Sequence, residues 1–255
     1  APHPYHAMYG PNMVQSANRN EQELASRHPV IEAFGQHEES LNFSRDECRK
    51  TVIPAYMGLI TEIDDHIGRL MSFLEERGDL ENTIIVLTSD HGDYLGDHWL
   101  GDKELFYAEV TRIPLIVVDP SRAADVTRGT KDDRFVESID LIPTFMDLAG
   151  CQELPDHWLE GCSVVPLLHG ENEVEWRDAV FCECDYAIRH ARNTLNLGPE
   201  DCRAYMVRNE QWKFVLYEGF RPQLFDLEND PDELNALGIV VGYDTVRREM
   251  SDRLF

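Results

Sequence analysis

From Thr88 to Lys103 the chain reads Thr-Ser-Asp-His-Gly-Asp-Tyr-Leu-Gly-Asp-His-Trp-Leu-Gly-Asp-Lys, the stretch whose residue types and spacing suit chemistry. Asp90 and His91 set a hard anionic oxygen beside a neutral imidazole nitrogen, a pair suited to a divalent cation such as zinc or manganese. Gly92 and Gly96 let the backbone turn sharply, so the loop can fold back and bring His98 and Lys103 toward the same point. There Lys103 would hold an ammonium against the non-bridging oxygens of a phosphoryl or sulfuryl group, offsetting charge that grows during displacement. His98 would protonate a leaving group or orient another ligand. By itself an Asp-His-Gly triplet after a strand serves equally well as a turn and helix cap, so the pair must be weighed with its surroundings.

Those surroundings predict an α/β layer. Across residues 45–77, Val52, Tyr56, Leu59, Ile60, Ile63, Ile67, Leu70 and Leu74 recur at three- and four-residue steps, which predicts a long amphipathic helix ended by Gly78. Residues 83–88 form a continuous β-branched apolar run, the mark of a strand buried on both faces, and a second run at 113–118 points to a largely parallel sheet. In open sheets of that kind ligands bind beyond the carboxyl ends of the strands, where Asp90 and His91 fall.

Further along, Ser138 or Asp140 can cap a helix over residues 141–148 that Gly150 closes. After Gly170 come short strand-like runs at 179–185, 204–208, 212–217 and 224–227, with a hairpin turn at Asn209-Glu210 and a terminal helix opening at Asp232-Glu233. The expected organisation is an α/β segment over 1–170 and a small α+β subdomain with antiparallel strands over 171–255. Residues 1–44 carry no sustained periodicity and read as a surface loop or peripheral element.

Composition narrows the partners. With 23 Lys and Arg against 48 Asp and Glu, the net charge of −25 argues against nucleic acid and against an anionic membrane surface. A small anionic ester is compatible, because a bound cation and one aimed lysine invert the local potential. No run approaches the roughly 18 apolar residues of a membrane span. Six cysteines without CxxC pairs read as reduced thiols, making a cytoplasmic location the default and leaving a periplasmic one open. His3, His6, His28 and His37 lack ligand spacing and read as ordinary bonded or solvated histidines. Asp64, Asp65 and His66 lie within the long helix, where adjacent side chains diverge by about 100° and read as a polar face. Cys182 and Cys184 share one side of a strand and read as packing residues.

Four segments then carry a resemblance: Gly-Leu-Ile-Thr-Glu-Ile-Asp-Asp-His-Ile-Gly-Arg at 58–69, residues 88–103, residues 137–150 with Ser-x-Asp-x-x-Pro-Thr, and Leu-Phe-Asp-Leu at 224–227 with its Asn-Asp-Pro turn. Together they resemble the C-terminal portion of the sulfatase branch of the alkaline phosphatase superfamily. Pro4-Tyr5-His6-Ala7-Met8-Tyr9 and the Leu95-Gly96-Asp97-His98 loop are most similar to phosphonate monoester hydrolases, which also act on phosphodiesters.

The resemblance implies an alkaline-phosphatase-like mixed sheet, with Asp90 and His91 as ligands of a divalent metal ion, whether manganese, zinc or calcium. Lys103 would contact the substrate oxygens and His98 would line the site. Trp99 and Asp102 depart from the residues expected in that loop. The family's nucleophile, a formylglycine made from Cys-x-Pro-x-Arg or Ser-x-Pro-x-Arg, has no counterpart here and is expected upstream with the paired aspartates of the first strand. The implied partners are a missing N-terminal half of the same protein and a second copy in a homo-oligomer, and the piece alone is expected to be inactive. Alternatives are sulfate ester hydrolysis, a phosphotransferase or mutase of the superfamily, or a non-catalytic module.

Overall fold

The computed structural model describes residues 1–151, 158–171 and 173–254. In chain order it contains α1 (Glu21–Ala25), α2 (Pro29–Gly35), α3 (Glu38–Phe43), α4 (Asp46–Arg77), β1 (Ile85–Thr88), α5 (Ala108–Thr111) and β2 (Leu115–Val118). Then follow α6 (Leu141–Leu148), α7 (Val165–Leu168), β3 (Val180–Asp185), α8 (His190–Leu195), β4 (Arg203–Arg208), β5 (Trp212–Tyr217), β6 (Gln223–Asp226) and α9 (Asp244–Asp252). Two compact units emerge, one from Ala1–Leu70, His91–Ile113 and Phe181–Phe255, the other from Met71–Asp90 and Pro114–Val180.

In the first unit β3, β4, β5 and β6 form one sheet in that order. The β4–β5 hairpin pairs Arg208 with Lys213, and the Asn209 carboxamide makes its turn by accepting from the amides of Gln211 (3.0 Å) and Trp212 (2.6 Å). Buried residues of the sheet, among them Met206, Val215, Tyr217 and Phe225, share a core with Tyr94, Leu100 and Phe106.

The reading of residues 1–44 as a surface loop is corrected here, since Val30, Ile31, Ala33 and Phe34 of α2 enter that core. The helix starts because Pro29 presets its first turn and His28 caps it, with Nδ1 accepting from the Val30 amide (3.2 Å) and Nε2 donating to the Arg221 carbonyl (2.7 Å). Burial lowers the His28 pKa to about 4, so the ring is neutral in this role.

The terminal helix expected at Asp232-Glu233 is also corrected. Asp230 instead accepts from the amides of Leu234 (3.1 Å) and Asn235 (2.7 Å), and Glu233 takes a left-handed φ of 56°. That turn carries the Glu233 carboxylate inward to meet Lys213 Nζ at 2.7 Å, with both side chains almost fully buried. Satisfying the buried ammonium outweighs starting a helix, which begins only at Asp244.

In the second unit β1 and β2 pair antiparallel, Ile85 opposite Val118 and Thr88 opposite Leu115. Mixed α/β architecture is as expected, but these two runs do not lie parallel. The 89–114 connection holds no crossover helix of the length that parallel strands require. Nor is β1 buried on both faces: its residues run from half-buried to exposed, since among the described residues β2 is its one ladder partner.

The Ser-x-Asp-x-x-Pro-Thr stretch acts as a structural hub of this unit. Asp140 is fully buried, takes both Arg177 guanidinium nitrogens (2.5 and 2.6 Å) and accepts from the Glu137 and Cys162 amides. Thr144 Oγ1 donates to the Asp140 carbonyl and accepts from the Val164 amide, tying α6 to the start of α7. Asp140→Ala leaves the half-buried Arg177 with Glu137 as its carboxylate and strips two amides of their acceptor, and we expect a loss of about 2–3 kcal/mol in unfolding free energy, measured by urea titration.

Candidate active site

The chemistry-bearing stretch begins where β1 ends. Asp90 is an exposed carboxylate at the close of the second unit's first segment, with Ser89 Oγ at 3.5 Å from its Oδ1. His91 opens the next segment of the first unit. Its Nδ1 donates to the Gly92 carbonyl at 2.7 Å, which fixes the tautomer whose Nε2 carries the lone pair. Histidine ligands are commonly oriented by such a second bond. Gly92 is required, because a Cβ there would run into the Glu109 carbonyl while the Gly92 amide donates to the Val110 carbonyl at 2.8 Å.

The loop then folds back as foreseen. Tyr94 N donates to the Asp102 carbonyl (3.0 Å) and Gly96 N to the Leu100 carbonyl (2.9 Å), so its two limbs pair like a short hairpin. Gly96 takes a φ of 101° with the Phe43 carbonyl and Arg49 packed where a side chain would stand. The pairing brings the exposed Lys103 and Asp102 back beside Asp93. The Asp93 carboxyl is raised above its usual range by burial and by the neighbouring Asp102, against the Leu95 amide, which lowers it by hydrogen bonding. Glu39 adjoins this group, its carboxyl raised by burial and by the neighbouring Asp102.

His98 is not with them. Its backbone lies at φ 51° and its ring is sealed inside the first unit, stacked on Tyr107 at 3.8 Å. Nδ1 meets Glu23 Oε1 at 2.5 Å, and Nε2 lies 3.2 Å from Glu109 Oε2. Burial disfavours the imidazolium, but the carboxylates of Glu109 and Glu23 overcome it and raise the His98 pKa to about 9. In return Glu109, against its own burial, is lowered to about 2 by His98 and by Asn18, whose Nδ2 donates to it at 2.9 Å. Glu23, Glu109 and Asn18 carried no signal in the sequence, because the first and last lie in the aperiodic opening segment. Asp93 stood inside the motif and could have been read from it.

Among the described residues no three or more His, Cys, Asp and Glu side chains gather as a metal cage. Asp65, in the other acidic cluster, accepts a hydrogen bond from the Tyr5 hydroxyl at 2.8 Å, and His66 lies 3.8 Å from Glu62 on the same helix, as a polar face would.

A family model described as Sulfatase matches residues 5–151, and one described as N-sulphoglucosamine sulphohydrolase, C-terminal, matches residues 96–255. The chain belongs to the sulfatase family, within the alkaline phosphatase superfamily. Over 98% of its length it is 32% identical to the multifunctional alkaline phosphatase superfamily protein PehA of Trinickia caryophylli, and over 82% it is 33% identical to an arylsulfatase of Clostridium perfringens. The fold superposes on the phosphonate monoester hydrolase of Agrobacterium radiobacter with a TM-score of 0.88 over the whole chain at 29% identity. A Silicibacter pomeroyi enzyme of the same description gives 0.88 over 99% at 28% identity. The chain spans about half the length of these relatives: 51% of PehA, 42% of the arylsulfatase, and 53% and 52% of the two hydrolase chains.

The raised His98 pKa makes a testable demand on stability. Its contribution is present in full below the unfolded value near 6.5 and is lost as pH climbs through about 9. Unfolding free energy should fall by on the order of 2–3 kcal/mol between pH 6.5 and 9.5, and His98→Asn should flatten that slope in urea titrations.

Proposed function

We propose that the whole protein hydrolyses phosphonate monoesters and phosphodiesters with a divalent metal, manganese, zinc or calcium, and that this chain supplies Asp90 and His91 as two of its ligands. The observation that carries the reading is the His91 ring, its Nδ1 held by the Gly92 carbonyl, at the start of a loop whose limbs pair through Tyr94 and Asp102, the residue before Lys103. The donor set fits such an ion: one carboxylate and one imidazole, with acidic neighbours at Asp93, Asp102 and Glu39 that add negative potential. When bound, the ion lowers the pKa of a nucleophile and neutralises the equatorial oxygens of the ester. The exposed Lys103 ammonium stabilises the same oxygens.

Two ligands do not complete a site, so the remaining ligands and the formylglycine nucleophile are assigned to a preceding half of the protein. Support comes from the apolar surface left open in each unit. In the first, α4 exposes Leu59, Ile60 and Ile63, and its only fully buried residues are Arg49, Pro54 and Gly58. In the second, Leu87, Ile116 and Val118 of the paired strands are exposed. Faces of this kind in a soluble enzyme normally lie against something, and that half is the occupant we assign. No helix among the described residues is long and apolar enough to cross a membrane.

A second reading, sulfate ester hydrolysis, is favoured by the arylsulfatase likeness and uses the same residues. In the full-length protein, Asp90→Ala and His91→Ala are expected to abolish both bound metal and turnover, and Lys103→Ala to cut kcat by about 10²–10³-fold with metal retained. Elemental analysis together with rates on aryl phosphonate, phosphodiester and sulfate esters checks this. Unchanged metal content in both alanine variants removes the ligand assignment, and a dominant sulfate rate moves the substrate to the second reading.

A further inference from the structure

Residues 95–105 contain five non-glycine residues in the left-handed region: Leu95, His98, Trp99, Asp102 and Leu105, with φ between 47° and 73°. Each costs about 1 kcal/mol or more, so the surrounding structure must impose the conformation. The imposing contacts converge on the tip of the loop. Arg49 donates to the Leu95 carbonyl (2.9 Å), Arg19 to the Gly96 carbonyl (3.0 Å) and Arg27 to the His98 carbonyl (2.8 Å). The His98 amide donates to the Asn18 carbonyl (2.8 Å), and Asp97 Oδ1 accepts from the Asn18 amide (2.8 Å).

At the centre stands the His98 ring, whose side chain has no exposure to solvent. It bridges Glu23, from α1, and Glu109, from α5, while its face lies on Tyr107. A group so enclosed has no route to an ester oxygen, but it fixes the turn between Gly96 and Leu100. That turn sets the register of the Tyr94–Asp102 pairing and hence where Lys103 emerges.

Building on the proposed hydrolase reading, we infer that His98 is a positioning residue: by bridging Glu23 and Glu109 it locks the left-handed loop that presents Lys103, and it donates no proton to the leaving group. The two roles differ in what they make kinetics depend on. A proton donor matters most for poor leaving groups, whereas a misplaced Lys103 slows every ester by the same factor.

The test uses the full-length protein and its His98→Asn and Glu109→Gln variants. With a series of aryl phosphonate esters, kcat should fall about 10- to 100-fold by a common factor across leaving groups, and a loss that grows with leaving-group pKa overturns the inference. Hydrogen exchange of the Tyr94 and Gly96 amides should quicken at least tenfold in the same variants, and exchange at the wild-type rate also overturns it. The exchange readout needs no substrate, so an inactive wild-type protein would sink the hydrolase reading while the positioning role is still decided. Should His98→Asn not fold, Glu109→Gln, which keeps the Glu23 bond, must show smaller changes of the same sign, and wild-type behaviour there overturns the inference.

Discussion

The backbone from Leu95 onward would not hold its shape unaided.

 The left-handed residues Leu95, His98, Trp99, Asp102 and Leu105 each resist the conformation they adopt, and three arginines, an asparagine and a doubly paired imidazole hold them there. Because Glu23 lies 75 residues before His98, the loop acquires its shape only once the first unit is packed. Loop geometry and tertiary structure are in this sense a single cooperative property of the unit.

The electrostatics follow from the same arrangement. An acidic protein of net charge −25 keeps a protonated imidazole buried by placing two carboxylates on it, and keeps a buried ammonium at Lys213 by turning Glu233 inward. Near His91 the balance is the reverse: Asp93 and Glu39 are raised by burial and by Asp102, so negative charge is crowded there. The buried pairs elsewhere are, by contrast, already compensated.

Much of the fold was legible because its signals are local. The apolar steps of α4 and the hairpin turn at Asn209 depend on residues within a few positions of one another, whereas Asp140, read as a cap, makes no side-chain bond to α6 and turns its carboxylate to Arg177 and Cys162. Where the reading failed, the deciding contact was remote in sequence. Glu233 was taken for a helix opener until Lys213, twenty positions away, claimed its carboxylate, and α2 was missed because its apolar residues are matched by a core made later in the chain. In the candidate site, Gly92 and Gly96 signal the turning of a loop whose limbs pair through Tyr94 and Asp102, and family resemblance points to Asp90 and His91. The burial of His98 could not be read, since it depends on Glu23, 75 residues upstream.

The antiparallel pair β1 and β2 has a consequence for handling the chain. Among the described residues each strand has one ladder partner, so both outer edges keep unpaired backbone donors and acceptors beside exposed Leu87 and Ile116. Such edges are templates on which a further strand can be added. The excess of carboxylates then acts as a colloidal brake, repelling like copies from those edges, and raising the ionic strength releases it.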